Sequence, residues 1–219
     1  MTQAALLRRP EMTVDELAAR IGPVPLWRVR TDPAPGTATE DDVERLRREE
    51  GVLCELIDGV LVEKASNSKK AFLNAQISTL LGNFVQAGRL GWVLGPNGFV
   101  WLLGRRLRAP DVSFYRLNQL PNQCLPDTGF LDVAPALAIE VLSPGNTAGE
   151  MERKRRDFFA AGTEQFWIVD PEQLHIQVFT GPDACRTYSQ QEPLDAGSVL
   201  PGFQLNIAEL FAAPTVRGK

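Results

Sequence analysis

The chain has 219 residues, of which 44% are hydrophobic and 23% are charged, and its formal net charge at pH 7 is −4. These values are typical of a globular domain and exclude a globally disordered or fibrous chain. The longest apolar stretch, Phe99–Leu103, is far shorter than the roughly 18 residues that a membrane-spanning helix needs, so we expect no membrane partner. The single histidine disfavours most catalytic zinc sites. Because the chain is acidic, any binding of nucleic acid requires a local basic patch.

The N-terminus and the cysteines indicate the cellular compartment. No hydrophobic segment of the secretory type opens the chain. Cys54, Cys124 and Cys185 are odd in number and far apart, which excludes a full disulfide framework and indicates small core residues. Both features favour a reducing cytoplasm.

Residues 1–50 differ from the rest of the chain and are expected to form an N-terminal helical arm. A capping box at Thr13 predicts a helix over Val14–Ile21, and Thr39 begins a second, highly charged helix. We expect the arm to pack on the core through a few apolar side chains. These are Leu26, Trp27, Val43 and Leu46. Residues 51–211 then form the main domain, and residues 212–219 form a loose tail.

The main domain begins with a hairpin, because Asp58-Gly59 separates two apolar runs. Apolar residues at helical spacing predict a long helix over Ser68–Ala87. Strands follow at Gly91–Leu94, Phe99–Leu103, Leu107–Tyr115 and Ala136–Leu142, then a helix from Thr147 to about Ala161, two further strands, and a short helix at Ile207–Phe211. This order predicts an α+β fold around a mixed sheet, with one crossover helix.

Two carboxylates occupy positions where a core would favour apolar residues. Glu140 lies within the apolar strand ALAIEVL and shares a face with Ala138 and Leu142. A buried, unpaired carboxylate costs several kcal/mol, so Glu140 requires a cation, a hydrogen-bond network or a metal. Asp111 follows Pro110 at the start of a strand, and a turn or capping role is the alternative for it.

Lys154 is the third charged residue of interest. On the helix after Thr147, Met151, Lys154 and Phe158 share one face, so Lys154 points toward the sheet. A structural Lys–Glu ion pair is one interpretation. The other is a hydrolytic site, in which the two carboxylates bind Mg²⁺ or Mn²⁺ and the ammonium orients water or stabilises a phosphate.

Pro110-Asp111, followed by Glu140 in the next core strand, resembles the PD-(D/E)XK nuclease signature. The segments CELIDGVLVEKA, LRAPDVSF, LAIEVLSPGNTAGEMERKRRDFFAAG and FWIVDPE together resemble the Uma-two family of restriction-endonuclease-like proteins. This resemblance covers nearly the whole chain. It implies an αβββαβ core, a metal site formed by Asp111, Glu140 and the carbonyl of Val141, and a catalytic lysine at Lys154.

The chain departs from this family pattern at three positions. Leu142 stands where the signature has lysine, and the resemblance implies that Lys154 replaces it. Phe158 stands where relatives usually have tyrosine. Lys70 aligns with an acidic residue of many relatives, which would replace a supporting carboxylate by a cation. Glu55 and Glu63 are candidate substitutes, although both are expected on the surface of the hairpin.

Arginines cluster on either side of these residues and are predicted to contact nucleic acid. They are Arg105, Arg106, Arg108, Arg153 and Arg155. The alternative is that they are solvated and balance nearby carboxylates. The sequence therefore predicts a Mg²⁺-dependent endonuclease acting on DNA, compatible with a homodimer because cutting both strands takes two sites. A catalytically silent module that binds nucleic acid or protein, an RNA substrate and another phosphoester remain open alternatives.

Overall fold

The computed structural model describes residues 12–127 and 129–212. The predictions for the first eleven residues and for residues 213–219 of the tail lie outside this range. The helices of the described residues are α1 (Val14–Ile21), α2 (Glu40–Glu49), α3 (Ser68–Gly88), α4 (Ala148–Ala160) and α5 (Ile207–Phe211). The strands are β1 (Cys54–Ile57), β2 (Val60–Glu63), β3 (Gly91–Leu94), β4 (Val100–Leu102), β5 (Arg106–Arg108), β6 (Val112–Arg116), β7 (Leu137–Val141), β8 (Gln165–Asp170), β9 (His175–Phe179), β10 (Cys185–Tyr188), β11 (Leu194–Asp195) and β12 (Gln204–Leu205).

The main sheet has six strands in the order β10-β9-β8-β7-β6-β3. Strands β7 and β8 run parallel and are joined by α4, whereas every other neighbouring pair in this sheet is antiparallel. A parallel pair requires such a crossover, and here the helix supplies it. The sequence α3-β3-β6-β7-α4-β8 is the predicted αβββαβ core, so the predicted α+β fold with a mixed sheet is confirmed.

A second sheet has four strands in the order β2-β1-β5-β4. The hairpin predicted at Asp58-Gly59 is present, and both turn residues have positive φ, which Gly tolerates and Asp adopts more readily than most residues. The prediction of one strand over Leu107–Tyr115 is wrong. Strand β5 belongs to the four-stranded sheet and β6 to the six-stranded sheet, because the chain bends at Ala109-Pro110-Asp111 and leaves one sheet for the other.

Two apolar layers cover the faces of the main sheet. Leu137, Ile139 and Val141 of β7 belong to the layer that includes the buried face of α3. Ala138 and Leu142 belong to the opposite layer, which includes Met151 and Phe158 of α4 in the same cluster. The predicted alternation of β7 is thereby confirmed, and Glu140 lies on the face that α4 covers.

The N-terminal arm packs on the core differently from the prediction. Val43 and Leu46 of α2 are buried, as expected, whereas the side chains of Leu26 and Trp27 are 62% and 70% exposed. Instead, the buried Arg28 holds the arm, because its guanidinium donates two hydrogen bonds of 2.8 Å to the carboxylate of Glu150 on α4. Apolar side chains also hold the arm, but they include two that were not predicted, since Ile21 and Val24 cluster with apolar residues of the β1–β2 hairpin.

Three smaller predictions have mixed outcomes. Helix α3 extends to Gly88, and Arg89 rather than the glycine adopts the left-handed conformation after it. Cys54 is buried, but Cys124 and Cys185 are exposed, so the prediction of core cysteines holds only for the first. Within the described residues, no helix combines the length and the apolar character that crossing a membrane demands.

Candidate active site

Asp111 lies at the bend between the two sheets and is fully buried. Its backbone N–H donates to the carbonyl of Ile139, and one residue further on Val112 pairs with Ile139. Extending this antiparallel register by one residue places Asp111 opposite Glu140, so that the two side chains share a face of the sheet. The bend after β5 and the pairing of β6 with β7 thus bring the two carboxylates together.

The carboxylate of Asp111 has three polar neighbours. The ammonium Nζ of Lys64 is 2.9 Å from Oδ1, and that of Lys70 is 2.7 Å from Oδ2. The backbone N–H of Val141 donates to Oδ2 at 2.9 Å. Both oxygens therefore already face a cation.

Lys154 lies within the site that the sequence predicted. Its side chain is 3% exposed, and its Nζ is 2.6 Å from Oε1 of Glu140 and 2.6 Å from Oε1 of Glu55. Met151 and Phe158 are buried on the same face of α4, which turns that face toward the sheet as expected. Phe158 packs against Phe166, with ring centroids 5.6 Å apart, and brings no hydroxyl to the site.

Glu55 is a member of this site that the sequence reasoning placed on the surface. It is 3% exposed, accepts a hydrogen bond of 2.9 Å from the N–H of Ala109, and pairs with Arg108 at 3.0 Å. A signal was present in the sequence, since the run Val60-Leu61-Val62 is apolar on both faces, as in a strand that is covered on both sides. This run forms β2, and the strand that pairs with it, β1, is also covered on both faces, so Glu55 of β1 is buried.

Lys64 and Lys70 reach the site from two other elements. Alternation along β2 places Lys64 on the same face as Val62, which pairs with Glu55. Lys70 lies in the first turn of α3, and its side chain is 3% exposed. Lys70 was expected near the site from its alignment, whereas no feature of the sequence distinguished Lys64.

The carboxylates of Asp111 and Glu140, which lie opposite each other, have pKa values that are shifted in opposite directions. Burial acts to raise the pKa of Asp111, but the charges of Lys64 and Lys70 outweigh it and lower that pKa to about 2. Burial raises the pKa of Glu140 to about 7; the charge of Lys154 opposes this shift and that of Asp111 adds to it. Burial acts to lower the pKa of Lys154, yet Glu140 and Glu55 hold that pKa above its ordinary value.

A cavity of about 540 Å³ opens beside Asp111. Lys64, Lys70 and Asp111 line its polar end, together with Asn74 of α3. The rest of its wall is mainly apolar and comes from the segment before β1 and from α3. A ligand in this cavity would therefore lie against the side chains of two lysines and an aspartate at one end.

The metal site expected at Asp111, Glu140 and Val141 can be tested against these contacts. Mg²⁺ requires a near-octahedral set of oxygen ligands. Ammonium groups contact both oxygens of Asp111 and Oε1 of Glu140, and Val141 turns its N–H toward Asp111. In residues 12–127 and 129–212, no three Asp, Glu, His or Cys side chains are placed to share one ion. The folded donor set does not fit Mg²⁺, whose requirement stays a prediction of the sequence.

Two of the arginines predicted to contact nucleic acid are engaged in the interior. Arg108 is 2% exposed, binds Glu55 and Asp157, and is not among the residues that line the cavity, so its role in binding nucleic acid stays a prediction that this placement does not favour. Arg106 is partly buried and pairs with Asp157 at 2.5 Å and with Asp58 at 3.2 Å.

The other three arginines have different surroundings. Arg105 is exposed in the turn between β4 and β5. Arg153 is partly buried and donates to the carbonyl of Ala19 in α1 at 2.8 Å. Arg155 lies 4.2 Å from the ring centroid of Phe179. Positions 153 and 155 point in different directions from α4, so any role of these arginines in binding nucleic acid stays a prediction.

Comparisons with known proteins agree with this architecture. A solved structure described as a putative nuclease belonging to DUF820 from Anabaena variabilis is similar in fold, with a TM-score of 0.64 and 19% sequence identity. The similarity covers 73% of this chain and 89% of that chain. A search of curated proteins found no match. The family model Uma2, described as "Putative restriction endonuclease", matches residues 40–208, and the chain belongs to this family.

Proposed function

We propose that this protein is a nuclease that hydrolyses phosphodiester bonds, with DNA as the first substrate to test, at the cluster of Asp111, Glu140 and Lys154. The observation that carries the proposal is the convergence of these three residues, from a sheet junction, a core strand and a helix, beside a cavity lined by Lys64 and Lys70. Family membership supports the same class of reaction.

Each of these groups has a role in the reaction that we propose. Lys64 and Lys70 face the space in which a phosphate would lie, and their charges oppose the negative charge that develops on its oxygens. In the step we propose, the oxygen of a water molecule bonds to phosphorus and the bond from phosphorus to the leaving oxygen breaks. Glu140 takes a proton from the water and returns it to the leaving oxygen, and Lys154 holds the Glu140 carboxylate in position.

Cleavage of a labelled duplex and of the matching single strand tests the proposal. We expect Glu140→Gln to lower the rate by about 10²-fold or more, because proton transfer contributes at least this much. Glu152→Gln is the matched control, since Glu152 lies on α4 but is exposed and pairs with Arg156. Each protein is assayed in Mg²⁺, in Mn²⁺ and in EDTA, which also tests the metal dependence predicted from the sequence.

Two results would contradict the proposal. Full activity in Glu140→Gln would show that the chemistry lies elsewhere or in a contaminant. An inactive wild type in all three buffers would exclude hydrolysis of these substrates. Repeating the single-strand assay with RNA decides between DNA and RNA as the substrate. Sedimentation of the wild type decides whether the predicted homodimer forms.

A catalytically silent module that binds nucleic acid is the second candidate. The observation that favours it is the pairing of Asp111 with both Lys64 and Lys70, which engages a carboxylate expected to take part in chemistry. This candidate predicts that the wild type binds the duplex with an ordinary salt dependence and cleaves it in none of the three buffers.

A further inference from the structure

We infer that the ammonium group of Lys70 occupies the place at which a divalent cation would bind Asp111, and that the site works without a divalent metal. The inference concerns the site of the proposed function and rests on that function only for the identity of the substrate. Its metal-binding part can be tested whether or not the protein cleaves nucleic acid.

The position of Lys70 is the first argument. Its Nζ lies 2.7 Å from Oδ2 of Asp111, and its side chain is 3% exposed, so the charge is removed from water and directed at this one carboxylate. Lys70 also lies in the first turn of α3, where the helix dipole disfavours a cation. A buried lysine at a helix N-terminus is costly unless a carboxylate compensates it, and Asp111 is the compensating group.

The balance of charges is the second argument. Four carboxylates of the buried cluster, Glu55, Asp111, Glu140 and Asp157, are paired with four buried cations, Lys64, Lys70, Arg108 and Lys154. At its edge the partly exposed Arg106 also pairs with Asp157, and Asp58 balances its charge. The cluster is therefore balanced when all eight groups are charged. A divalent cation would add two positive charges to a buried region in which no carboxylate lacks a cation, and this is unfavourable at low dielectric.

The third argument is the access of Lys70 to a ligand. Lys64, Lys70 and Asp111 are among the residues that line the cavity, so a ligand that enters it lies beside their side chains. Because the Lys70 side chain is only 3% exposed and its Nζ contacts Asp111, Nζ has to turn from that carboxylate toward the cavity to reach a phosphate oxygen, but no metal or metal-bound water has to be displaced. Lys70 can thus supply the positive charge beside a phosphate that a bound cation supplies in other hydrolytic sites.

Replacing Lys70 by a carboxylate tests whether this place can hold a metal ion. The full-length wild type is compared with Lys70→Glu, Lys70→Met and the control Lys69→Glu, in which the new carboxylate lies on the exposed neighbouring residue. Each protein is titrated with MnCl₂ and MgCl₂ by calorimetry, and its melting temperature is measured with each salt and with EDTA.

We expect no saturable metal binding to the wild type, to Lys70→Met or to Lys69→Glu. Lys70→Glu places a second carboxylate beside Asp111, so it should bind Mn²⁺ and melt about 3–8 °C higher with Mn²⁺ than with EDTA. Cleavage or binding of nucleic acid by the wild type should be the same in EDTA as in Mg²⁺.

Saturable binding of Mn²⁺ or Mg²⁺ to the wild type that is lost in Asp111→Asn would overturn the inference. A folded Lys70→Glu that binds no metal would also overturn it, because the position would then not be a cation site. If Lys70→Glu does not fold, the titration of the wild type and of Asp111→Asn decides alone. A wild type that binds no metal and cleaves nothing supports the metal-binding part of this inference while contradicting the proposed function, so the two failures can be distinguished.

Discussion

Two buried ionic groups on α4 differ in how completely their bonds are satisfied. Arg28 and Glu150 form a closed pair, in which the guanidinium also donates to the carbonyls of Glu63 and Gly145. One turn further along the helix, the single ammonium group of Lys154 is shared between Glu55 and Glu140. The first group fixes the arm to the core. The second includes Glu140, whose pKa is raised to about 7 and which lies opposite Asp111, a residue that lines the cavity.

This difference separates a structural ion pair from a candidate reactive cluster. In the pair, each charge has a partner of matching geometry, so nothing is left to respond to a ligand. In the cluster, carboxylates share cations, and the protonation of one changes the electrostatic environment of the others. Burial alone does not distinguish the two, since Arg28 and Lys154 are equally buried.

The largest expected effect comes from breaking the closed pair. Arg28→Met leaves the carboxylate of Glu150 buried without its cation and should lower the free energy of unfolding by about 3–5 kcal/mol. Urea denaturation measures it. Arg30→Met is the matched control, because Arg30 forms partly exposed pairs with Glu50 and Glu63 and should cost no more than about 1 kcal/mol. Equal losses in the two variants would refute a special role of Arg28.

Removing the shared cation should have a smaller effect, because part of the cluster remains paired. In Lys154→Met, Glu55 keeps Arg108 and the N–H of Ala109, whereas Glu140 loses the cation closest to it. We expect the free energy of unfolding to fall by about 1.5–3 kcal/mol, the range for hydrogen bonds to charged groups. Denaturation at pH 8 measures it, and a loss as large as that of Arg28→Met would contradict the proposed sharing.

Glu140→Gln should change how stability depends on pH. The ordinary pKa of Glu140 is 4.5 and its pKa in the folded protein is about 7, so between these values the unfolded chain releases a proton that the folded chain retains. Glu140 therefore makes the protein less stable as pH rises through this window, and Gln removes that dependence. The stability of the variant relative to the wild type should rise by about 3 kcal/mol from pH 4.5 to pH 8.

The groups that face Glu140 act differently in this window. They are Lys154 of α4, Asp111 at the sheet junction, Lys64 after β2 and Lys70 of α3. Asp111, with a pKa lowered to about 2, stays ionised throughout it. Asp111 stabilises the folded protein above its ordinary pKa of 3.8, and this stabilisation is lost as pH falls toward 2. Glu140→Gln should therefore still unfold in acid. A relative stability that does not change with pH would show that Glu140 is ionised in the folded protein at pH 5.

The smallest effect is expected at the exposed arginine. Arg105→Glu should change the free energy of unfolding by less than about 0.5 kcal/mol, because the side chain lies on the surface. If Arg105 contacts a phosphate of duplex DNA, the slope of log affinity against log salt should fall by about one unit. Arg48→Glu, on the exposed face of α2, is the control. An unchanged slope removes Arg105 from the nucleic-acid surface.

The sequence predicted most of the fold because local signals and apolar periodicity agreed. Capping boxes at Thr13 and Thr147, the Asp58-Gly59 turn and the alternation of β7 all appear in the structure. The split of the predicted strand over Leu107–Tyr115 was not predicted. The pairing of β5 with β1 is a long-range contact that the local pattern does not encode.

The candidate site could be predicted only in part, for the same reason. Glu140 and Lys154 are recognisable because a charge interrupts an apolar strand and an apolar helix face. Glu55 lies on a short hairpin strand, and its burial depends on the second sheet packing against α4. Arginine is usually a surface residue, yet Arg108 lies in the interior, where it pairs with Glu55 and Asp157.

The bend at Ala109-Pro110-Asp111 makes assembly of the site inseparable from assembly of the tertiary structure. Glu55 comes from the four-stranded sheet, Glu140 comes from the six-stranded sheet, and Lys154 fastens one to the other. A folding intermediate in which only one sheet has formed would hold isolated charges and no site. The charged groups of the site come together only when the two sheets have packed against each other, so a complete site requires a completely folded protein.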